Sequence, residues 1–354
     1  MTSSKLLSRF QWAKSPLIIN APMAGSATPR LATEVSKAGG LGLLGSIWDL
    51  GADASQLSKL DADLGEARTL LGDDLPASSP IQIGAGFITG HPSMATFADT
   101  ALPVVAKHRP AAVWLFAPDG DLKPHPAIVK ALKSLDPAAT VFVQVGNVAA
   151  AREAVDDGAD VVVAQGVDAG GHQFRQGTGI VALVPEVRNM LEDEFPGKDV
   201  GLVAAGGIVD GRGVAAALAL GADGVVMGTR FTVAFESTYS EHGKETVLKT
   251  VDGGVSTLKS PFNDQINKID LWGPLYDGRA VIGPIHEKFL AGASLEECQK
   301  SLKEDYSEEE GRKITRTWAG AGVGLVKKAQ AAGDIVREVQ KETVATIQRL
   351  AGLA

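Results

Sequence analysis

The chain of 354 residues is 45% hydrophobic and 21% charged, with 41 glycines where a typical composition would give about 25, and it is long enough for one large domain or two ordinary ones. A formal charge of −8 excludes a nucleic-acid surface as its main business, and the single cysteine, Cys298, excludes an intrachain disulfide framework and any cysteine-based zinc or iron–sulfur site. No apolar run reaches about 18 residues, so no segment reads as membrane-spanning.

Lys5, Arg9 and Lys14 precede the first acidic residue, Glu34, a bias shared with transit peptides. The run from Pro16 to Met23 already reads as a core strand, so the preceding residues are expected to form an ordinary N-terminal cap. From there one unit repeats: a short apolar run, a glycine break, then a helix. Leu17 to Ala21 is the first run, and Thr28-Pro29 supplies the cap and first position of a helix ending at Gly39-Gly40. Leu41 to Leu44 precedes a helix over 54–71, and Ile81 to Phe87 one near 93–107. Ala112 to Phe116 precedes a helix near 125–135, and Val141 to Val145 one capped by Asn147. Asp160 to Gln165 leads into a glycine-rich loop. Gly201 to Ala205 comes before a helix over 210–220, and Gly224 to Met227 is the eighth run.

Eight runs that are apolar on both faces and separated by helices predict a parallel sheet. Eight such units are what a closed (β/α)8 TIM barrel requires. An open doubly wound sheet is the competitor, but no GxGxxG follows the first run. The expected organisation is a barrel over 1–235 and a C-terminal helical lobe over 236–354, packed beside the barrel mouth.

Working groups in such barrels sit at the C-terminal ends of the strands. Ala21-Pro22-Met23 forms a rigid turn after the first. After the sixth, three glycines at 166, 170 and 171 precede His172, the residue type best suited to proton transfer near neutrality. The other histidines show no metal-ligand spacing, so no metal is expected. Gly206-Gly207 after the seventh strand and Gly228-Thr229 after the eighth suit a phosphate held by free backbone N–H groups. Phosphate alone leaves a sugar phosphate and a nucleotide equally open.

Four stretches, Asn20 to Gly25, Asp168 to His172, Ala204 to Ile208 and Met227 to Phe231, resemble the nitronate monooxygenases, and Tyr276 to Ala280 is similar to the fungal type. The resemblance covers about residues 16 to 290. It implies an FMN-dependent barrel that oxidises alkyl nitronates, such as propionate 3-nitronate, with O2 to a carbonyl compound and nitrite. On that resemblance Ala21, Pro22 and Met23 would line the flavin, Gln144 would touch its ring or ribityl chain, and Gly171 would approach it. Gly206, Gly207, Gly228 and Thr229 would hold its phosphate, with Gly166, Ala205 and Met227 completing the flavin-binding set. His172 would be the catalytic base or substrate anchor, and Phe87, Trp114 and Tyr276 the substrate-pocket walls. Many members carry Gln at the place of Asn20 and Glu at that of Asp168.

The main rival keeps the barrel and FMN but takes hydride from NAD(P)H, as enoyl-thioester and quinone reductases do. A barrel of the IMP-dehydrogenase type would need a mouth-loop cysteine, and Cys298 lies far downstream. A flavin-binding or phosphate-sensing protein without turnover would have no use for His172. The expected setting is cytoplasmic rather than mitochondrial, as a monomer or homodimer, with no nucleic-acid or membrane partner.

Overall fold

The computed structural model describes residues 5–51, 54–72 and 79–353. The eight apolar runs become β1 (Leu17–Asn20), β2 (Gly42–Leu43), β3 (Ile81–Ile88), β4 (Pro110–Phe116), β5 (Thr140–Val145), β6 (Val161–Gln165), β8 (Gly201–Ala205) and β9 (Gly224–Met227). They form one parallel sheet in the order β1-β9-β8-β6-β5-β4-β3-β2, and a bridge between Ile19 and Leu41 joins its two ends. The fold is the expected eight-stranded barrel. Three further strands, β7 (Gly171–Phe174), β10 (Thr257–Ser260) and β11 (Tyr276–Val281), make a separate antiparallel sheet in the order β10-β11-β7.

Alternation sorts each barrel strand into two faces. Leu17, Leu43, Trp114, Phe142, Val163, Val203 and Val226 fill the barrel, while Ile18, Ala85, Val113, Val143, Ala164, Leu202 and Val225 pack under the helices. Leu6 and Phe10 join the interior cluster, and Arg9 pairs with Asp160 and Asp199 near the starts of β6 and β8. Residues 5–14 therefore close the N-terminal end of the barrel. β2 is only two residues long, and Asn20 compensates at that seam. Its amide accepts the N–H of Leu43 at 2.9 Å and donates to the Leu43 carbonyl at 2.9 Å.

The packing departs from a purely helical lobe over 236–354 in two ways. β10 and β11 lie in this segment and pair with β7, which follows β6. The last helix, Ala332–Ala351, lies on the barrel's outer layer between the helices Gly211–Ala219 and Pro29–Lys37 rather than beside the mouth. It takes the place of an eighth barrel helix, because β9 is followed only by the single turn Thr229–Thr232. Polar residues interrupt both strands, Lys259 in β10 and Asp277 and Arg279 in β11, so neither forms a continuous apolar run and both carry little sequence signal. Among the described residues no helix is long and apolar enough to cross a membrane.

Candidate active site

The C-terminal ends of the barrel strands surround a cavity. Ala21, Trp114, Gln144, Ala205, Gly206, Gly207, Gly228 and Thr229 line it as expected, together with Gln165, Gly170, Gly320 and Gly322. Three side chains on its wall are linked. Trp114 Nε1 donates to Gln144 Oε1 at 3.2 Å, and Gln144 Nε2 to Gln165 Oε1 at 2.7 Å. Gln165 Nε2 then donates to the His172 carbonyl at 3.3 Å. A buried amide must find partners, and this row satisfies the donors while presenting polar edges at the top of an otherwise apolar barrel.

Two glycine turns, after the neighbouring strands β8 and β9, continue the wall. Gly206 (φ +104°) and Gly207 (φ +72°) adopt backbone that L side chains rarely take. A Cβ on Gly206 would fall 2.7 Å from the Gly166 carbonyl, and one on Gly207 3.0 Å from the Asp168 Cβ. The backbone N–H groups of Gly206, Gly207, Ile208 and Gly228 find no acceptor among the described residues. The hydroxyl of Thr229 accepts the Gly320 N–H at 3.0 Å and keeps its own proton to donate. Unpaired N–H groups on strand-end glycine loops suit a phosphate.

Several expected residues stand elsewhere. Phe87 points out of the barrel and packs edge-on against Phe97, ring centroids 5.1 Å apart, so it is core and not pocket wall. Met227 also faces the helix layer. Pro22 packs against Gly86, Met23 lies near Gly228, and Gly166 is crowded by Ile180; none of these three borders the cavity. Gly171 (φ +69°) opens β7 without touching it either. Tyr276 sits between Phe116 and Phe174 and lines a neighbouring cavity, which Gln144 also borders.

His172 is not among the residues lining the glycine-walled cavity; its backbone is tied to that wall through Gln165. Its imidazole stacks on Trp272, centroids 3.7 Å apart and planes 11° apart, with Trp318 at 4.7 Å. Nε2 lies 2.8 Å from Asp264 Oδ1, and Nδ1 makes no hydrogen bond among the described residues. Gln165 was within reach of sequence reasoning, as a polar residue ending a doubly buried run. Asp264, Trp272, Trp318 and the glycines at 320 and 322 belong to the segment read only as helical, and no local pattern marks them.

Comparison with known proteins agrees with this arrangement. Residues 98–342 match the family model for nitronate monooxygenase. A nitronate monooxygenase of Neurospora crassa is 46% identical over 99% of this chain and 95% of its own, and one of Metarhizium robertsii is 38% identical over 95% and 93%. Among solved structures, FabK from Thermotoga maritima has a TM-score of 0.75 with 25% identity over the whole of both chains. The nitroalkane oxidase of Streptomyces ansochromogenes has a TM-score of 0.70 with 22% identity over 98% and 99%, a likeness of fold. With its barrel, its strand-end glycine loops and a relative this similar along nearly the whole length, the chain belongs to the nitronate monooxygenase family, flavin-dependent oxidoreductases that oxidise nitronates.

Proposed function

We propose that the cavity between Ala21, Gln144, Gly207 and Thr229 holds FMN and that His172 handles the nitronate. The four N–H groups at Gly206, Gly207, Ile208 and Gly228 carry the reading, because they offer donors to a phosphate where strands seven and eight of a barrel end. FMN is favoured over FAD because the sequence contains no second nucleotide-binding unit. Ala21 and Ala205 keep the approach to the backbone open, and Gln144 and Gln165 present amide edges to the ring.

Electron transfer from the nitronate and the subsequent O2 chemistry belong to the bound flavin. The chain's part is binding, orientation and proton handling. The imidazole of His172 would take the Cα proton of a nitroalkane or, once protonated, hold the nitro oxygens of a nitronate. Trp272 and Trp318 cover the imidazole and shield it from bulk water. Residues before 235 would thus supply most of the cofactor cavity, with Gly320 and Gly322 completing its wall, while Asp264, Trp272 and Trp318 surround the imidazole. The setting we favour is cytoplasmic, as a monomer or homodimer.

The test is an absorbance spectrum of the purified protein before and after anaerobic propionate 3-nitronate, with acid extraction to identify the flavin. Bleaching by the nitronate and release of FMN are expected. Rapid bleaching by NADH with no response to nitronate would move the protein to the reductases, and extracted FAD would overturn the cofactor assignment.

A further inference from the structure

Asp264 reaches His172 through the small antiparallel sheet. In its register His172 faces Gly278, and Gly278 faces Ser260, the last residue of β10. The turn after Ser260 is therefore delivered beside the imidazole. Asn263 pins that turn: its amide donates to the Gly278 carbonyl at 2.7 Å and to the Leu258 carbonyl at 2.9 Å, and its Oδ1 lies 2.8 Å from His286 Nε2. His286 Nδ1 accepts the Gly283 N–H, so its proton is on Nε2 and is donated to Asn263. This buried network sets Asp264 Oδ1 2.8 Å from His172 Nε2, the two side chains 10% and 13% exposed. The Trp272 stack holds the plane of the ring.

We propose that Asp264 is a positioning residue that fixes His172 as the Nε2–H tautomer, making Nδ1 the atom that exchanges a proton with substrate. An ionised carboxylate only accepts hydrogen bonds, so the facing nitrogen carries the proton and the other keeps its lone pair. In the proton step the substrate Cα–H bond breaks, its electron pair becomes the C=N bond of the nitronate, and an Nδ1–H bond forms. The resulting imidazolium faces Asp264, which stays ionised. The inference rests on the reading of His172 as the acting group and adds which nitrogen acts and what selects it.

The experiment is 15N NMR of the histidine-labelled holoprotein at alkaline pH, assigned with His172→Asn, alongside steady-state kinetics. Native protein should show His172 with its proton on Nε2. Asp264→Asn, whose amide can turn its NH2 toward the ring, should show the Nδ1–H form and lower kcat about a hundredfold or more, with KM little changed. Asp264→Glu should restore the native tautomer. A proton on Nδ1 in the native protein overturns the proposal without needing any variant to fold. So does an Asp264→Asn protein whose tautomer is unmoved, whatever its kcat. Full turnover in His172→Asn would instead remove the acting role of the histidine itself, which separates the two failures.

Discussion

A Cβ placed on Gly170 would lie 2.4 Å from the backbone nitrogen of Gly320, and one on Gly320 would lie 2.6 Å from the Asp168 carbonyl. The loop after β6 and the segment after Trp318 thus meet backbone to backbone, an approach sealed by the Ala321 N–H donating to the Asp168 carbonyl at 2.9 Å. Both glycines border the cavity. Gly170→Ala should push the 320–322 segment off the cavity wall, with a packing cost of about 1–3 kcal/mol. The purified variant should retain less flavin per chain, read as visible absorbance after gel filtration. Native flavin content together with a native melting temperature would show that the contact is dispensable.

Gly206 combines a positive φ of 104° with a neighbouring carbonyl 2.7 Å from where its Cβ would be. Gly206→Ala therefore adds strain of about 1–2 kcal/mol from the left-handed backbone alone. Because this turn carries the unpaired N–H groups, FMN affinity should fall by about tenfold or more, the equivalent of about 1.4 kcal/mol. Riboflavin, which lacks the phosphate, should lose much less. Equal losses for the two ligands in a titration would contradict the assignment of this turn to the phosphate.

Asn20 stands at the weakest seam of the barrel, where it supplies the hydrogen bonds that a two-residue β2 cannot. Asn20→Ala would leave the buried N–H and C=O of Leu43 without those partners, and an unsatisfied buried group costs about 1–3 kcal/mol. Urea unfolding should show a lowered midpoint, while Asn20→Gln tests whether the seam tolerates a longer amide. An unchanged midpoint in Asn20→Ala would mean that the seam is held by other contacts.

Two buried histidines, His125 and His286, set an acid limit on stability. Burial lowers both His125 and His286 to about 4, from an ordinary value of 6.5. Each sits neutral in a hydrogen bond, His125 Nε2 to Thr89 Oγ1 and His286 Nε2 to Asn263 Oδ1, both at 2.8 Å. Between pH 6.5 and about 4 the unfolded chain binds more protons than the folded one, so stability is full above that window and falls as the pH drops through it. Each histidine contributes a slope of up to about 1.4 kcal/mol per pH unit. Urea midpoints at pH 7, 6 and 5 should decline less steeply in His125→Gln than in the native protein. Parallel declines would remove His125 from the account.

How much of this was legible in residues alone varies with the kind of information. Gln165 ends a doubly buried run and Gln144 lies one residue from the end of another, and polar side chains there mark the mouth end of the strands; Gln144 was picked out by the family resemblance, and Gln165 was not. The orientation of Phe87 was not legible. Both faces of β3 are apolar, and nothing local distinguishes the barrel interior from the helix layer, so a pocket wall and a core residue look alike. The strands β10 and β11 were missed because segments interrupted by polar residues resemble loops.

By itself the sequence determined the eight-fold repeat, the closed barrel and the glycine turns at the ends of its seventh and eighth strands. These are consequences of apolar periodicity and of backbone angles that only consecutive residues need to satisfy. Only the tertiary structure decided that Asp264 meets His172 across 92 positions, that Gly320 seats on Gly170, and that the last helix fills the barrel's eighth place. Such meetings depend on strand register and on which surfaces remain uncovered once the barrel has closed, and no neighbouring residues encode them.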